Sequence, residues 1–237
     1  MRTILITGSS GGIGSAIALR ALKDGHRVSL GIRNPSFLKG TELDPEKFAK
    51  DKLIVNYYDA ENNPSIKEWI NNTHKSFGSI NTVIHCAGIF KNTGLLFLEE
   101  EEKELDKLWR VNLMGPWLLT KEVWKDLEND GSGRIQVLVS MSGKRSKGNL
   151  AGYTVSKFGL MGLCQTMRNE GWEKGIRVTA ICPGWVNTNM ASNINSIKKE
   201  DMTQVEDIAL ISSTLLKLPN SSIPFEVPVN CILEKNY

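Results

Sequence analysis

The feature that most constrains this chain is an alternation between short, β-branched apolar runs and longer stretches of helical periodicity. The runs lie at 4–6, 28–30, 53–55, 83–84, 135–139 and 178–181, mostly bounded by turn residues or charges. Runs that short and that apolar predict strands buried on both faces. Helical stretches such as 13–24, stopped by Gly25, 103–128, 153–174 and 205–218 fill the intervals. Segment 223–231 reads as a last strand. A repeated strand–helix order with right-handed crossovers predicts a doubly wound α/β fold, with a parallel sheet of about seven strands flanked by helices on both faces. Ligands of such sheets bind at the carboxyl ends of the strands.

Directly after the first run comes Thr7-Gly8-Ser9-Ser10-Gly11-Gly12-Ile13-Gly14, followed by an amphipathic helix. Gly8 permits a tight turn, Gly12 lets backbone approach a pyrophosphate, and Gly14 lets the helix pack close to the sheet. The N–H groups at the start of that helix then face an anion. Ser10 and Ile13 belong to the same turn and join the glycines as candidate cofactor contacts. The competing reading is a flexible strand-to-helix loop; the strand before and helix after it favour a Rossmann-type dinucleotide site.

The spacing Gly-x-x-x-Gly-x-Gly, rather than Gly-x-Gly-x-x-Gly, resembles the short-chain dehydrogenase/reductase family. The resemblance runs in order from residue 1 to about residue 190 and thins beyond. It implies that Asp59 and Ala60 contact an adenine, and that Cys86-Ala87-Gly88 occupies the family's Asn-Ala-Gly position, with Ala87 and Gly88 at the cofactor. Cys86 departs from the pattern, which puts local hydrogen bonding in the central sheet in question. Pro183-Gly184-Trp185-Val186-Asn187-Thr188 matches the Pro-Gly turn beside a nicotinamide, where Val186 and Thr188 would hold carboxamide and phosphate.

An acid commonly ends the second strand of proteins that prefer NAD. Here Ile32 stands there and Arg33 follows, a cationic fork suited to a 2′-phosphate. NADP(H) is therefore the expected cofactor, with NAD(H) the second choice. Gly11 stands where a basic residue often helps bind the phosphate, and the plainer reading of Arg33 is a solvated surface arginine.

Tyr153-Thr154-Val155-Ser156-Lys157 is Tyr-x-x-x-Lys, which on a helix places both side chains on one face. Alone, such a pair is usually a surface couple. Ser140, thirteen residues before Tyr153 and followed by Gly143, sits at the family's catalytic serine spacing; Ser142 is out of register by two. Hydride addition to a carbonyl builds alkoxide character that a placed donor must neutralise. The resemblance implies Tyr153 as that acid, Ser140 as a hydrogen-bond partner of the substrate oxygen, and Lys157, together with nearby oxidised nicotinamide, as the charge lowering the phenol pKa, with cofactor contacts from Tyr153 and Lys157. Asn112 matches a fourth catalytic residue, one that holds a water linking the lysine to solvent; the alternative is a helix-surface amide.

Bulk properties narrow the other classes. With 41% hydrophobic and 23% charged residues and a net charge of +3, the composition is that of an ordinary globular protein, too mildly basic to point to nucleic acid. No linker or repeat divides residues 1–237, so one domain is expected, with a short polar lid around 189–203 that leaves the pocket open. Trp185, Met190, Phe90, Asn149 and Leu150 could line that pocket. The acidic run 99–102 starts a helix. Cys86, Cys164, Cys182 and Cys231 read as reduced core thiols without a metal-site spacing, and the amino-terminal apolar run is too short for a signal or membrane span, so a cytoplasmic setting is expected. The tail lacks the Val-Asp-Gly-Gly ending common in ketoacyl reductases, which argues against fatty-acid synthesis. The expected activity is NADP(H)-dependent interconversion of a carbonyl and an alcohol by a homodimer or homotetramer. A non-catalytic dinucleotide sensor is the alternative, and an epimerase or dehydratase would need a larger substrate region than this chain provides.

Overall fold

The structure is a computed structural model and describes residues 1–233. Seven strands form one parallel sheet in the order β3-β2-β1-β4-β5-β6-β7. They are β1 (Thr3–Thr7), β2 (Arg27–Ile32), β3 (Leu53–Tyr57), β4 (Thr82–His85), β5 (Arg134–Leu138), β6 (Arg177–Pro183) and β7 (Glu226–Val229). Side chains alternate across the pleat, so Leu5 enters the core on one face while Ile4 and Ile6 enter the core on the other. On the first face Leu5 joins Trp69, Val83, Leu119, Val137 and Leu160 beneath α2 (Asn63–Phe77), α4 (Gly115–Asn129) and α5 (Ala151–Gly171). On the second, Ile4 and Ile6 join Ile17, Val28, Ile181 and Ile208 beneath α1 (Gly12–Lys23) and α6 (Val205–Lys217). Burial on both faces explains why the strands read as continuous apolar runs.

The chain leaves β1 toward β2 and β3, then crosses back to place β4 on the other side of β1. Two crossovers thus diverge at the carboxyl ends of β1 and β4 and open a crevice between them, the place where an open α/β sheet binds ligand.

The long helix expected over 103–128 is broken. The short 3₁₀ turn Glu99–Glu101 leads into α3 (Glu102–Trp109); a five-residue π-helical turn, Arg110–Met114, follows before α4 begins. Pro116 is the cause legible in the sequence: it has no N–H to donate to the Asn112 carbonyl four residues back, so the α ladder cannot run through. The expectation of four core thiols is corrected too. Cys164 and Cys182 are buried, whereas Cys86 and Cys231 are partly exposed, because both follow strand ends at the sheet's rim; all four are unpaired. Among the described residues no helix is long and apolar enough to cross a membrane.

Candidate active site

Helix α1 starts at Gly12 with no side-chain cap and no acid in its first turn. Its first N–H groups are therefore unclaimed by side chains, and the positive end of its dipole lies at the crevice. Gly8 and Gly12 take positive φ. A Cβ on Gly14 would stand 2.4 Å from the Gly8 carbonyl oxygen, so only glycine lets the helix start fold onto the turn. Gly11 is extended and has nothing within 4 Å of an added Cβ, so its own position does not require glycine.

These residues wall a cavity of about 410 Å³ that gathers Gly8, Ser10, Gly12, Ile13, Gly14, Arg33, Asp59, Ala60, Ala87, Gly88 and Thr188. Arg33 is exposed at its rim, one residue beyond the buried end of β2 at Ile32. Asp59 turns one carboxylate oxygen to the Glu61 N–H at 3.0 Å. At Cys86 the backbone is held by Thr7, whose hydroxyl accepts from the N–H groups of Cys86 at 3.1 Å and Ala87 at 3.0 Å, tying the end of β1 to the end of β4. Although Cys86 as a residue is partly exposed, its side chain packs against the core, and that burial pushes the thiol up to about 12, so it stays protonated.

A second cavity of about 270 Å³ shares Ile13, Cys86, Gly88, Ile89, Thr188 and Met190 with the first, and adds Ser140, Tyr153, Lys157, Pro183, Gly184 and Val186. Ser140 does not end β5, as the run 135–139 suggested, but lies two residues beyond Leu138. It caps the 3₁₀ turn Met141–Gly143, its hydroxyl accepting from the Ser142 N–H at 3.1 Å. Its φ of 103° is strained for a residue with a Cβ. Neighbouring bonds hold it there: Val139 N–H donates to the Ile181 carbonyl at 2.8 Å, and Gly143 N–H to the Ser140 carbonyl at 3.0 Å. A Cβ on Gly143 would lie 2.8 Å from the Lys157 carbonyl oxygen, so glycine there lets the serine turn rest directly on α5.

Tyr153 and Lys157, one turn apart on α5, are both buried. Phe90 stands edge-on to the Tyr153 ring with centroids 5.0 Å apart. The Lys157 ammonium lies 5.7 Å from the Tyr153 ring centroid and donates to the Leu138 carbonyl at 3.0 Å. Burial raises the Tyr153 phenol above its ordinary pKa, against an opposing hydrogen bond with Ser140. The downward shift expected with oxidised nicotinamide beside the phenol concerns the cofactor-bound state; among the chain's own groups, loss of water around the phenol sets the direction. Burial also brings Lys157 down to about 8, with the thiols of Cys164, Cys182 and Cys86 opposing.

Asn112 is no helix-surface amide. It is fully buried on the π turn, accepts from the Ile89 N–H at 2.8 Å, and donates to the Ile89 carbonyl at 3.0 Å and the Ser156 hydroxyl at 3.1 Å. Both amide protons are thus engaged by protein. Asn112 lines neither cavity. A Cβ on Gly88 would fall 3.4 Å from its Oδ1 and 3.7 Å from the Lys157 ammonium, so the amide fixes the wall between the two cavities at the lysine.

A family model of short chain dehydrogenases matches residues 2–199. The chain belongs to the short-chain dehydrogenase/reductase family. It is 33% identical over 233 residues to an agropine synthesis reductase of Rhizobium rhizogenes, covering 98% of this chain and 53% of that protein. The chain thus spans about half the length of that relative. It is 32% identical over 205 residues to the 3-oxoacyl-(acyl-carrier-protein) reductase of Rickettsia typhi, covering 86% of this chain and 80% of that one. Among solved structures, an alcohol dehydrogenase from the archaeon Thermococcus sibiricus, complexed with 5-hydroxy-NADP, superimposes with a TM-score of 0.88 at 26% identity, covering 100% of this chain and 99% of that one.

In this short-chain dehydrogenase/reductase, the segment after β6 reaches the second cavity. Trp185, Met190, Phe90 and Leu150 line the second cavity, whereas Asn149 does not; it takes a φ of 61° in an exposed loop. Segment 189–203 is less featureless than its polarity implied. It carries 3₁₀ turns at Asn189–Ala191 and Lys199–Asp201 and is tied back by Asn187 N–H to the Thr203 carbonyl at 2.9 Å. It presents Met190, Ala191 and Ile194 to the cavity. Thr7 and Ser156 escaped the reading from sequence. Ser156 left a signal, three residues after Tyr153 within Tyr-x-x-x-Lys and so on the flank of the same helical face; Thr7 left none beyond ending the first strand.

Proposed function

We propose that the chain moves hydride between NADP(H) and a carbonyl or alcohol substrate, with Tyr153 as the acid in reduction and the base in oxidation. The observation that carries this reading is the meeting of Ser140, Tyr153 and Lys157 at one end of a paired cavity whose other end is the uncapped start of α1. The fit to a dinucleotide rests on the cradle itself, which side chains on Gly8 or Gly14 would fill. Gly8, Ser10, Gly12, Ile13 and Gly14 would hold the pyrophosphate, Asp59, Ala60, Ala87 and Gly88 the adenosine side, and Pro183, Gly184, Val186 and Thr188 the nicotinamide side. Arg33 at the rim supports NADP(H) over NAD(H), as does the NADP-type ligand of the archaeal relative.

The nicotinamide, when bound, supplies or accepts the hydride. The chain supplies the proton. Burial keeps Tyr153 protonated at neutral pH, so in reduction its hydroxyl gives a proton to the forming alkoxide while Ser140 donates a hydrogen bond to the same oxygen. The Lys157 ammonium then faces the phenolate left behind, and Asn112 positions the wall that holds it. The continuous sheet supports a single domain over 1–237 with a lid at 189–203. Exposed Trp109, Trp117 and Phe158 support a homodimer or homotetramer, and four unpaired cysteines support a cytoplasmic setting.

The test is NADPH oxidation by the pure chain across a panel of ketones and aldehydes. Turnover that Tyr153→Phe abolishes is expected. Equal rates for the two proteins, or tight NADPH binding with no turnover on any carbonyl, would overturn the reading, the second outcome in favour of a sensor.

A further inference from the structure

We propose that Phe90 is a specificity-determining residue: its ring is a fixed wall beside Tyr153 that admits only a small group on one side of the reacting carbonyl. This rests on the oxidoreductase reading above and adds a steric limit on the substrate to it.

After β4 the chain runs from Ile89 to Thr93 without regular structure, yet both ends of that stretch are fastened. Asn112 grips Ile89 twice, accepting from its N–H at 2.8 Å and donating to its carbonyl at 3.0 Å. At the other end the Ala151 N–H, at the start of α5, donates to the Thr93 carbonyl at 2.8 Å. Thr93 is buried against the same helix: a Cβ on Gly152 would stand 2.8 Å from the Thr93 Oγ1, so glycine there lets the stretch lie directly on the turn that carries Tyr153. Only Phe90, Lys91 and Asn92 lie between the two fastenings, and so short a span follows its ends. The Phe90 backbone therefore cannot recede from Tyr153.

The ring stands edge-on to Tyr153 with centroids 5.0 Å apart, is still 40% exposed, and lines the reactive cavity but not the dinucleotide cavity. A reacting oxygen in hydrogen-bond reach of the Tyr153 hydroxyl, at about 3 Å, brings the carbonyl carbon and both its substituents into this part of the cavity. One substituent passes along the Phe90 ring. The other turns toward the segment after β6, where Trp185, Met190 and Ile194 line the wall. The two walls differ in stiffness. Met190, 54% exposed on the 3₁₀ turn Asn189–Ala191, has an unbranched side chain that adapts its shape. Phe90 is a flat ring on a stretch held at both ends. The larger substituent thus belongs on the Met190 side and the smaller beside Phe90, where added bulk overpacks a wall that does not yield.

The experiment uses the full chain with NADPH and matched pairs that exchange a methyl for an isopropyl group: acetophenone against isobutyrophenone, and 2-octanone against 2-methyl-3-nonanone. In at least one pair the unsubstituted chain is expected to favour the methyl ketone at least tenfold in kcat/KM. Phe90→Ala is expected to cut that ratio at least fivefold, chiefly through a lowered KM for the isopropyl ketone, with Phe90→Leu intermediate. A purely structural loss of support for Tyr153 would slow both members of a pair alike and leave the ratio in place. No preference for the methyl ketone in either pair, or a ratio that neither variant moves, would overturn the inference; Phe90→Leu decides where Phe90→Ala does not fold. Hydride transfer itself fails only if no carbonyl turns over. Where neither pair turns over, calorimetry of the NADPH-saturated protein with acetophenone and isobutyrophenone decides the wall separately. Tighter binding of acetophenone that Phe90→Ala evens out supports it; equal binding of the two, or none, by the unsubstituted chain overturns it.

Discussion

Around the start of α1 the cleft is walled largely by main chain, with Gly8, Gly12 and Gly14 bringing backbone to the surface of the larger cavity; around the start of α5 it is walled by side chains, Ser140, Tyr153 and Lys157 among them. The main-chain end depends on residues within one turn of each other, so its geometry is a matter of local spacing. The side-chain end depends on elements far apart in the chain. Ser140 follows β5, Lys157 reaches back to the Leu138 carbonyl, and Asn112 on the π turn clamps Ile89. One end offers shape and main-chain N–H groups, whereas at the other burial raises the Tyr153 phenol and lowers the Lys157 ammonium from their ordinary values.

Substitutions can separate the two ends. The largest effect belongs to Tyr153→Phe, which should lower kcat by a factor of about 10² to 10⁴ while NADPH affinity, read by fluorescence titration, stays within about threefold. A comparable loss of NADPH binding would mean that the two ends are not separable. Gly14→Ala forces a Cβ against the Gly8 carbonyl, 2.4 Å away. It should cost about 1–3 kcal/mol in urea unfolding and weaken NADPH binding as well; a variant as stable as the parent would show that the glycine turn is more pliable than its packing implies.

The pH dependence probes the side-chain end alone. Burial lowers Lys157 to about 8 in the folded chain, below its value of 10.5 in water. Between those values the unfolded chain binds more protons, so Lys157 makes stability rise with pH, by about 1 kcal/mol per pH unit over pH 8–10. Relative to Lys157→Met, the parent should therefore gain stability across that window, measured by urea unfolding at fixed pH steps. A flat difference would mean that the ammonium is better solvated than its burial indicates. The smallest effect is at the rim of the main-chain end, where Arg33→Ala should reduce the ratio of kcat/KM for NADPH over NADH about tenfold, roughly 1.4 kcal/mol. An unchanged ratio would remove Arg33 from cofactor selection.

Most of the strands and the glycine turn were legible because their signals are local: apolar runs for strands buried on both faces, and glycine spacing for a turn that tolerates no Cβ. The long helix over 103–128 was misread because hydrophobic periodicity continues through the break, while the lone mark of the break, Pro116, acts on a carbonyl one turn earlier. Asn112 was found by position, yet its engagement with Ile89 and Ser156 required knowing which loops meet there. Thr7 carries no pattern of its own, since its task is to accept two N–H groups from a strand end nearly eighty residues away.

The sequence by itself determined that this chain would build a doubly wound parallel sheet with a glycine turn after β1, because spacing and residue type suffice for such features, and its family resemblance singled out Ser140, Tyr153 and Lys157. Only the tertiary structure decided the direction of the Tyr153 shift, the strain at Ser140 and the burial of Asn112 against Ile89 and Ser156. The physical reason is that desolvation and side-chain direction are set by what packs around a group in space, and the packing partners here come from β4, β5, α4 and α5, which the chain visits far apart.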